Sequence, residues 1–255
     1  MNLQGKTIVV TGTASGIGAE VARLARFQGA RVIGVDRNPP SLTLDGFVQA
    51  DLSSPAAIDA AVAQLPQRFD ALCNIAGVPG TAPSDAVARV NYLGLRHLCT
   101  QVLDRLPTGS AIVNVASILG AEWPQRLTQH KALAATDSFE AGAQWLAQHP
   151  VAQERCYQYF KEALIVWTTV QSQAWFLQRG VRMNCVAPGP VFTPILGDFV
   201  AMLGEERVQQ DAHRMARPAY ADEVASVITW LCSDAARWVS GVNLPVDGGL
   251  ASTYL

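Results

Sequence analysis

The sequence predicts an α/β fold: one doubly wound domain over residues 1–255, built on a seven-stranded parallel sheet flanked by helices. Three observations carry this reading. Short β-branched apolar runs alternate with stretches of helical apolar spacing, and runs that are apolar throughout belong to strands buried on both faces. A glycine-rich turn, Gly12-Thr13-Ala14-Ser15-Gly16-Ile17-Gly18, separates the first run from the first helix. An acid, Asp36, closes the second run. With 49% apolar and 16% charged residues, the chain has enough apolar side chain for a large core.

Residues 7–11 read as the first strand and 31–35 as the second. The helix between them carries Val21, Leu24, Ala25 and Phe27 towards the core and ends near Gly29. Its glycines let the backbone turn tightly and approach a pyrophosphate, whose charge rests on the helix N-terminus. The order strand, glycine turn, helix, strand, acid is the context that makes the motif a dinucleotide-binding Rossmann unit. Asp36 stands 18 residues after Gly18, where a carboxylate can accept from the adenosine ribose hydroxyls. The same carboxylate repels a ribose phosphate, which favours NAD over NADP, and Arg37 next door offsets part of that repulsion.

Residues 46–50 form the predicted third strand, with Asp51-Leu52 at its end. Asp51 either bonds an adenine amine or caps the next helix through Ser53-Ser54-Pro55, and the two roles are compatible. That helix turns Ile58, Ala61, Val62 and Leu65 inward and stops at Pro66. Residues 70–77 read as a fourth strand opening into a glycine turn. A long helix over about 87–106 contains Asn91, a poor interior helix residue, which either holds a kink or a water or lies at the surface. Residues 111–117 read as the fifth strand, with Ser117 at the end where ligands of open parallel sheets bind. A sixth strand covers 182–187. Residues 194–215, with Phe199, Met202, Leu203 and Met215, read equally as a lid or a fixed amphipathic pair. A further helix from Asp222 sets Val227, Ile228, Trp230 and Leu231 inward, and 242–246 closes the sheet.

The net charge of −2 provides no basic face to recruit nucleic acid or anionic lipid. The five cysteines are scattered singly, so neither a disulfide framework nor a metal site is indicated, and they read as reduced core thiols of a cytoplasmic protein. Residues 1–6 do not read as a signal peptide. No apolar stretch approaches the roughly 20 residues of a membrane span.

The chemistry centres on Cys156-Tyr157-Gln158-Tyr159-Phe160-Lys161. Tyr157 and Lys161 are four apart and share a helix face. A nearby ammonium favours phenolate and would lower a phenol pKa that is about 10 unperturbed. A tyrosine so tuned acts as acid or base near neutrality. Tyr159 has no such partner, since Ala163 follows it at that spacing.

Taken together, these motifs resemble the short-chain dehydrogenase/reductase family over nearly the whole chain. Thr11-Gly12 through Gly16-Ile17-Gly18 looks like its cofactor turn, and Asn74-Ile75-Ala76-Gly77 is similar to its Asn-Asn-Ala-Gly turn, with Ile75 in place of the second Asn. Asn91, Ser117, Tyr157 and Lys161 look like its catalytic tetrad. Pro188-Gly189-Pro190-Val191-Phe192-Thr193 resembles its nicotinamide clamp, and the chain ends in a family-like Val246-Asp247-Gly248-Gly249. The resemblance implies proton transfer by Tyr157, tuning and ribose binding by Lys161, polarisation of the reacting oxygen by Ser117, and water placement by Asn91. It implies NAD held by Gly12, Ser15, Gly16, Ile17, Gly18, Asp36, Arg37, Asp51, Leu52, Asn74, Ala76, Gly77, Tyr157, Lys161, Pro188, Val191 and Thr193, with no metal. It further implies a small-molecule alcohol or carbonyl substrate and a homo-oligomer, dimer or tetramer.

One departure from the family pattern matters. Ser117 and Tyr157 are 40 apart, far beyond the ordinary family spacing, so an insert of about residues 119–155 precedes the catalytic helix. Such inserts are often lids or binding loops. This one abuts the helices that form the main dimer face in many relatives, and it could block or rebuild that face. Trp123 and Trp145 line an aromatic pocket or form the insert's own small core, with the core reading favoured, and His130 and His149 read as surface residues. The long spacing resembles a branch of the family acting on cinnamyl-type allylic alcohols or on 3α-hydroxysteroids and other carbonyls. The stretches around Cys73-Asn74, Leu119-Gly120 and Cys156-Tyr157 favour the first, with coniferyl alcohol the leading substrate. A redox sensor that binds NAD without turnover is the alternative of another kind.

Overall fold

The computed structural model describes residues 2–254. The chain runs β1 (Thr7–Thr11), α1 (Gly16–Phe27), β2 (Arg31–Asp36), β3 (Gly46–Gln49), α2 (Pro55–Gln64) and β4 (Ala71–Asn74). Next come α3 (Ser84–Ala88), a π-helical stretch Arg89–Gly94, α4 (Leu95–Val102) and β5 (Ala111–Val115). Helices α5 (Leu127–Ala134) and α6 (Phe139–Gln148) precede the long α7 (Cys156–Arg179). Finally β6 (Arg182–Pro188), α8 (Leu196–Leu203), α9 (Glu205–Met215), α10 (Ala221–Cys232) and β7 (Asn243–Val246) complete the fold. The sheet has seven strands in the order β3-β2-β1-β4-β5-β6-β7, all pairs parallel.

Side chains alternate along each strand and divide the core in two. In β1, Ile8 and Val10 join the layer formed with α1 and α10, while Val9 joins the opposite layer, which holds α2, α4 and α7. This two-sided burial explains why the strands are apolar throughout. The first helix departs from expectation at one residue. Val21, Ala22 and Ala25 are buried, but Phe27 is 83% exposed. Two positions beyond Ala25, at about 100° per residue, it faces across the helix from that stripe.

Two predicted strands end early for a visible reason. Pairing of β4 with β5 stops at Asn74↔Asn114. The next two amides, of Ile75 and Ala76, donate to the Thr11 hydroxyl at 2.9 and 3.0 Å, so a side chain replaces the ladder there. The fifth strand likewise ends at Val115, although Ala116 N still donates to Val186 O, and Ser117 then leaves the sheet.

The insert is helical and lies on the core rather than over it. Leu133, Ala134 and Phe139 are buried, and Trp123 and Trp145 pack partly buried against the same layer, so they extend the domain's main core rather than forming a small core of the insert's own. The Arg96 guanidinium donates to the carbonyls of Leu133 and Thr136, satisfying the end of α5. His149 is exposed and stacks on Trp145 at 4.0 Å, but His130 is fully buried, contrary to the expectation of a surface residue. Its Nε2 lies 2.7 Å from Glu162 Oε2 on α7. Arg126 donates to both oxygens of the same carboxylate, at 2.6 and 2.7 Å. Burial raises the Glu162 pKa, but the bonds from Arg126 and His130 outweigh it and hold the carboxyl below its ordinary range. Removing one partner from a buried ion pair is strongly destabilising. Arg126→Ala should therefore lower unfolding free energy by roughly 3 kcal/mol at pH 7 in urea titrations, whereas truncating the exposed Glu122 side of the cluster should change it by less than about 1 kcal/mol.

Candidate active site

Sheet order reverses between β1 and β4, and a crevice opens beyond the strand ends there. A cavity of about 330 Å³ occupies it. One wall is the glycine turn. Gly12 and Gly16 have φ of +77° and +57°, which L side chains rarely adopt. A Cβ at Gly18 would overlap the Gly12 carbonyl oxygen. The N-cap residue of α1, Ser15, makes no side-chain capping bond, and the first turn carries no acid. The amides of that turn are thus left for an anion. Asp36 lines the same cavity from the end of β2, its Oδ2 accepting from Ala14 N at 3.0 Å.

The opposite end holds the candidate proton-transfer group. Ser117, Tyr157 and Lys161 all line the cavity and are all buried. Lys161 Nζ lies 5.5 Å from the centre of the Tyr157 ring and donates to Val115 O at 2.7 Å. Burial lowers the Lys161 pKa to about 8. Burial also raises the Tyr157 phenol above its ordinary value, and the Ser117 hydroxyl, which favours the phenolate, offsets this only in part. The expected lowering by Lys161 is therefore not the dominant effect in this site. Desolvation of a buried phenol outweighs it. The Phe199 ring meets Tyr157 edge-on at 5.2 Å, so α8 covers the site.

Most of the residues singled out in the sequence share this one cavity. Gly12, Ser15, Gly16, Ile17, Gly18, Asp36, Arg37, Asp51, Leu52, Ala76, Gly77, Pro188, Val191 and Thr193 line it with Ser117, Tyr157 and Lys161. Asp51 also accepts from Ser53 N at 2.9 Å, while Ser54 is the side chain that caps α2. Two residues lie elsewhere. Asn74 turns into the core, where its amide donates to Asn114 Oδ1 at 2.9 Å and to Cys99 Sγ. Asn91 is buried in the π-helical stretch, and its amide both accepts from Val78 N and donates to Val78 O. Its side chain is thus engaged by the loop at Val78 rather than by the cavity.

The sequence reading missed Ile118, Leu119, Val208 and Asp211, which also line the cavity. No local motif marks them. Trp123 and Trp145 do not reach it, and the insert contributes only the turn just after Ser117. Among the described residues, no group of three or more His, Cys, Asp or Glu side chains is placed to hold a metal. No helix among them is long and apolar enough to cross a membrane.

A glycine cradle at an uncapped helix N-terminus, an acid at the second strand and a buried phenol beside an ammonium define a dinucleotide-dependent oxidoreductase. Comparison with known proteins agrees. A family model described as short chain dehydrogenase matches residues 6–129, and one described as Enoyl-(Acyl carrier protein) reductase matches residues 142–251. The chain is 65% identical to the coniferyl-alcohol dehydrogenase of Pseudomonas sp. (strain HR199 / DSM 7063) over 255 residues, 100% of each chain. It is 33% identical to the 3-alpha-hydroxysteroid dehydrogenase/carbonyl reductase of Comamonas testosteroni, covering 95% of each. The solved 3-alpha-hydroxysteroid dehydrogenase from Pseudomonas sp. B-0831, complexed with NADH, superposes with a TM-score of 0.80 at 32% identity, covering 97% of this chain and 98% of that one. The chain belongs to the short-chain dehydrogenase/reductase family, whose enzymes use a nicotinamide cofactor.

The buried ammonium has a consequence for stability. Lys161 titrates near 8 in the fold and at about 10.4 in the unfolded chain, so between these values the unfolded state binds more protons. Stability contributed by this group therefore rises with pH across that window. In thermal or urea unfolding of the cofactor-free protein, the wild type should gain stability relative to Lys161→Met from about pH 8 to 10. A pH-independent gap between the two would contradict this.

Proposed function

We propose that this enzyme oxidises an aromatic allylic alcohol to its aldehyde with NAD, and that coniferyl alcohol is such a substrate. The observation that carries the substrate assignment is 65% identity along the full length of a coniferyl-alcohol dehydrogenase. The apolar cover of the site, with Phe199 against Tyr157, suits an aromatic ring.

In this reading Tyr157 takes the proton from the alcohol oxygen and returns it in the reverse direction. Ser117 donates to the same oxygen and holds it against the phenol. Lys161 binds the nicotinamide ribose and supplies positive charge beside Tyr157. Asn91 acts through Val78, as a positioning residue. The cofactor, when bound, supplies the hydride acceptor and, in its oxidised form, a positive charge that favours the Tyr157 phenolate. Gly12, Ser15, Gly16, Ile17 and Gly18 would hold its pyrophosphate, with Asp51 and Leu52 at the adenine and Pro188, Val191 and Thr193 at the nicotinamide. Asp36 favours NAD, because its carboxylate can accept from ribose hydroxyls and repels a phosphate, with Arg37 moderating the preference.

Steady-state oxidation of coniferyl alcohol and androsterone, each with NAD and with NADP, tests this assignment. The expected result is a kcat/KM for coniferyl alcohol with NAD at least tenfold above the other three combinations. Turnover of androsterone without coniferyl alcohol would reject it. Tyr157→Phe should lower kcat by about 10³-fold or more while NADH fluorescence titration still shows binding.

A further inference from the structure

Helix α8 buries none of its residues, yet it brings Leu196, Phe199 and Leu203 to the cavity and sets the Phe199 ring edge-on to Tyr157 at 5.2 Å. A helix that buries so little keeps its place through specific contacts rather than through core packing. One of them is polar. The Thr81 hydroxyl donates to Asp198 Oδ1 at 2.8 Å, one residue before Phe199. A carboxylate acceptor makes such a bond stronger than one between neutral groups. Met202, on the same helix, closes against the residue before Thr81: a Cβ at Gly80 would overlap its sulfur.

The loop that carries Thr81 is itself fixed from behind. Gln153 lies at the end of the insert, four residues before Tyr157. Its amide donates to Gly80 O at 2.9 Å and to Ala82 O at 2.8 Å, and its carbonyl accepts from Ser84 N at 2.9 Å. The Ser84 hydroxyl donates to Val151 O at 3.3 Å. Thr81 therefore sits between two carbonyls held by one side chain, and Asn91 holds the start of the loop at Val78. A group ordered in advance loses little further freedom when it bonds.

We infer that Thr81 and Asp198 form a latch that positions α8 over Tyr157, and that Gln153 anchors this latch to the insert. All three are positioning residues, acting on the alcohol through Phe199 and its helix. This rests on the alcohol dehydrogenase reading above and deepens it, because it gives the insert a part in alcohol binding although its tryptophans do not reach the cavity. The latch lies at the surface and competes with water, so its loss costs severalfold rather than orders of magnitude. It holds the cover in the ground state and the transition state alike, so the loss falls on KM for the alcohol rather than on kcat.

The test compares the wild type with Thr81→Val, Thr81→Ser, Asp198→Ala, Gln153→Ala and the Thr81→Val/Asp198→Ala double variant in steady-state oxidation of coniferyl alcohol with NAD. Thr81→Val, Asp198→Ala and Gln153→Ala should each raise KM for the alcohol about fivefold, with kcat and NADH binding by fluorescence titration within about twofold of the wild type. Thr81→Ser keeps the donor and should restore the wild-type KM. The double variant should be no worse than either single one, since both remove the same bond. A second readout needs no substrate. Arg207 on α9 is exposed and offers trypsin a site in the cover. Loosening α8 should speed cleavage there about threefold or more at unchanged Tm. The inference is overturned if Thr81→Val leaves KM and cleavage as in the wild type, if Thr81→Ser behaves like Thr81→Val, or if the two single effects multiply in the double variant. It is also overturned if alcohol KM, NADH binding and Tm worsen together, and the part of the insert is overturned if Gln153→Ala alone changes nothing. A wild type that ignores coniferyl alcohol but oxidises androsterone overturns only the aromatic reading; the same KM comparison then runs with androsterone, and the cleavage result stands either way.

Discussion

One hydrogen bond ties the chemistry to the sheet: the Lys161 ammonium donates to the carbonyl of Val115, the last residue of β5. Two residues beyond Val115 the chain presents Ser117, and one helical turn before Lys161 it presents Tyr157. The bond therefore fixes the separation between the Ser117 hydroxyl and the Tyr157 phenol, the two groups of the proposed proton transfer. It does so at a cost, since the same burial that makes the bond strong disfavours the charge on Lys161 and the phenolate of Tyr157. A cofactor-free site is thus poised against ionisation. Positive charge brought by the oxidised nicotinamide would shift that balance, so base strength is coupled to loading.

Two further contacts keep α7 where that bond needs it. Gly120 lies so close to the backbone of Lys161 and Glu162 that a Cβ there would stand 3.0 Å from the Lys161 carbonyl carbon. Next to it, the buried Glu162 carboxylate is gripped by Arg126 and His130 from the insert. The insert lies between Ser117 and Tyr157, so it bridges the segments that carry these two residues by sequence and by ion pairing. It leaves the cover of the cavity to α8 and α9, which meet Tyr157 through Phe199. Floor and cover are in this way built by different parts of the chain, and substrate preference can vary with the cover alone.

The sheet, the glycine turn and the reactive pair were legible because each is written in local sequence. Short runs that are apolar throughout, glycines in a turn and an i,i+4 pair need no knowledge of distant residues. The core role of the Asn74 side chain was not legible, because its place in a familiar turn suggested a cofactor contact, whereas its partner, Asn114, is 40 positions away on the neighbouring strand. That amide continues a buried chain through Asn114 to Thr168 on α7. His130 was misread for the same reason: only the tertiary fold brings it to Glu162. Asp211 had no signal, being one acid among several on an amphipathic helix, and only the tertiary fold sets it in the cavity wall. Tyr157 lines the cavity with Lys161, but the direction of its pKa was not legible, because spacing reveals a neighbouring charge and says nothing of desolvation.

The π-helical stretch shows how a distant residue can govern the site without entering it. Asn91 binds both the N–H and the carbonyl of Val78, so its single amide replaces two strand-like backbone partners. That fixes the loop leading to Gly80. A Cβ at Gly80 would stand 3.0 Å from Tyr157 Cβ and would overlap the Met202 sulfur, so the loop is wedged between the catalytic helix and the cover. Thr81 then bonds Asp198 on α8 at 2.8 Å. From Asn91 to Val78, Gly80, Tyr157 and α8 the contacts are continuous. Asn91 lies inside the π-helical stretch, so a poor helix former sits where the helix is already irregular and its side chain supports the loop.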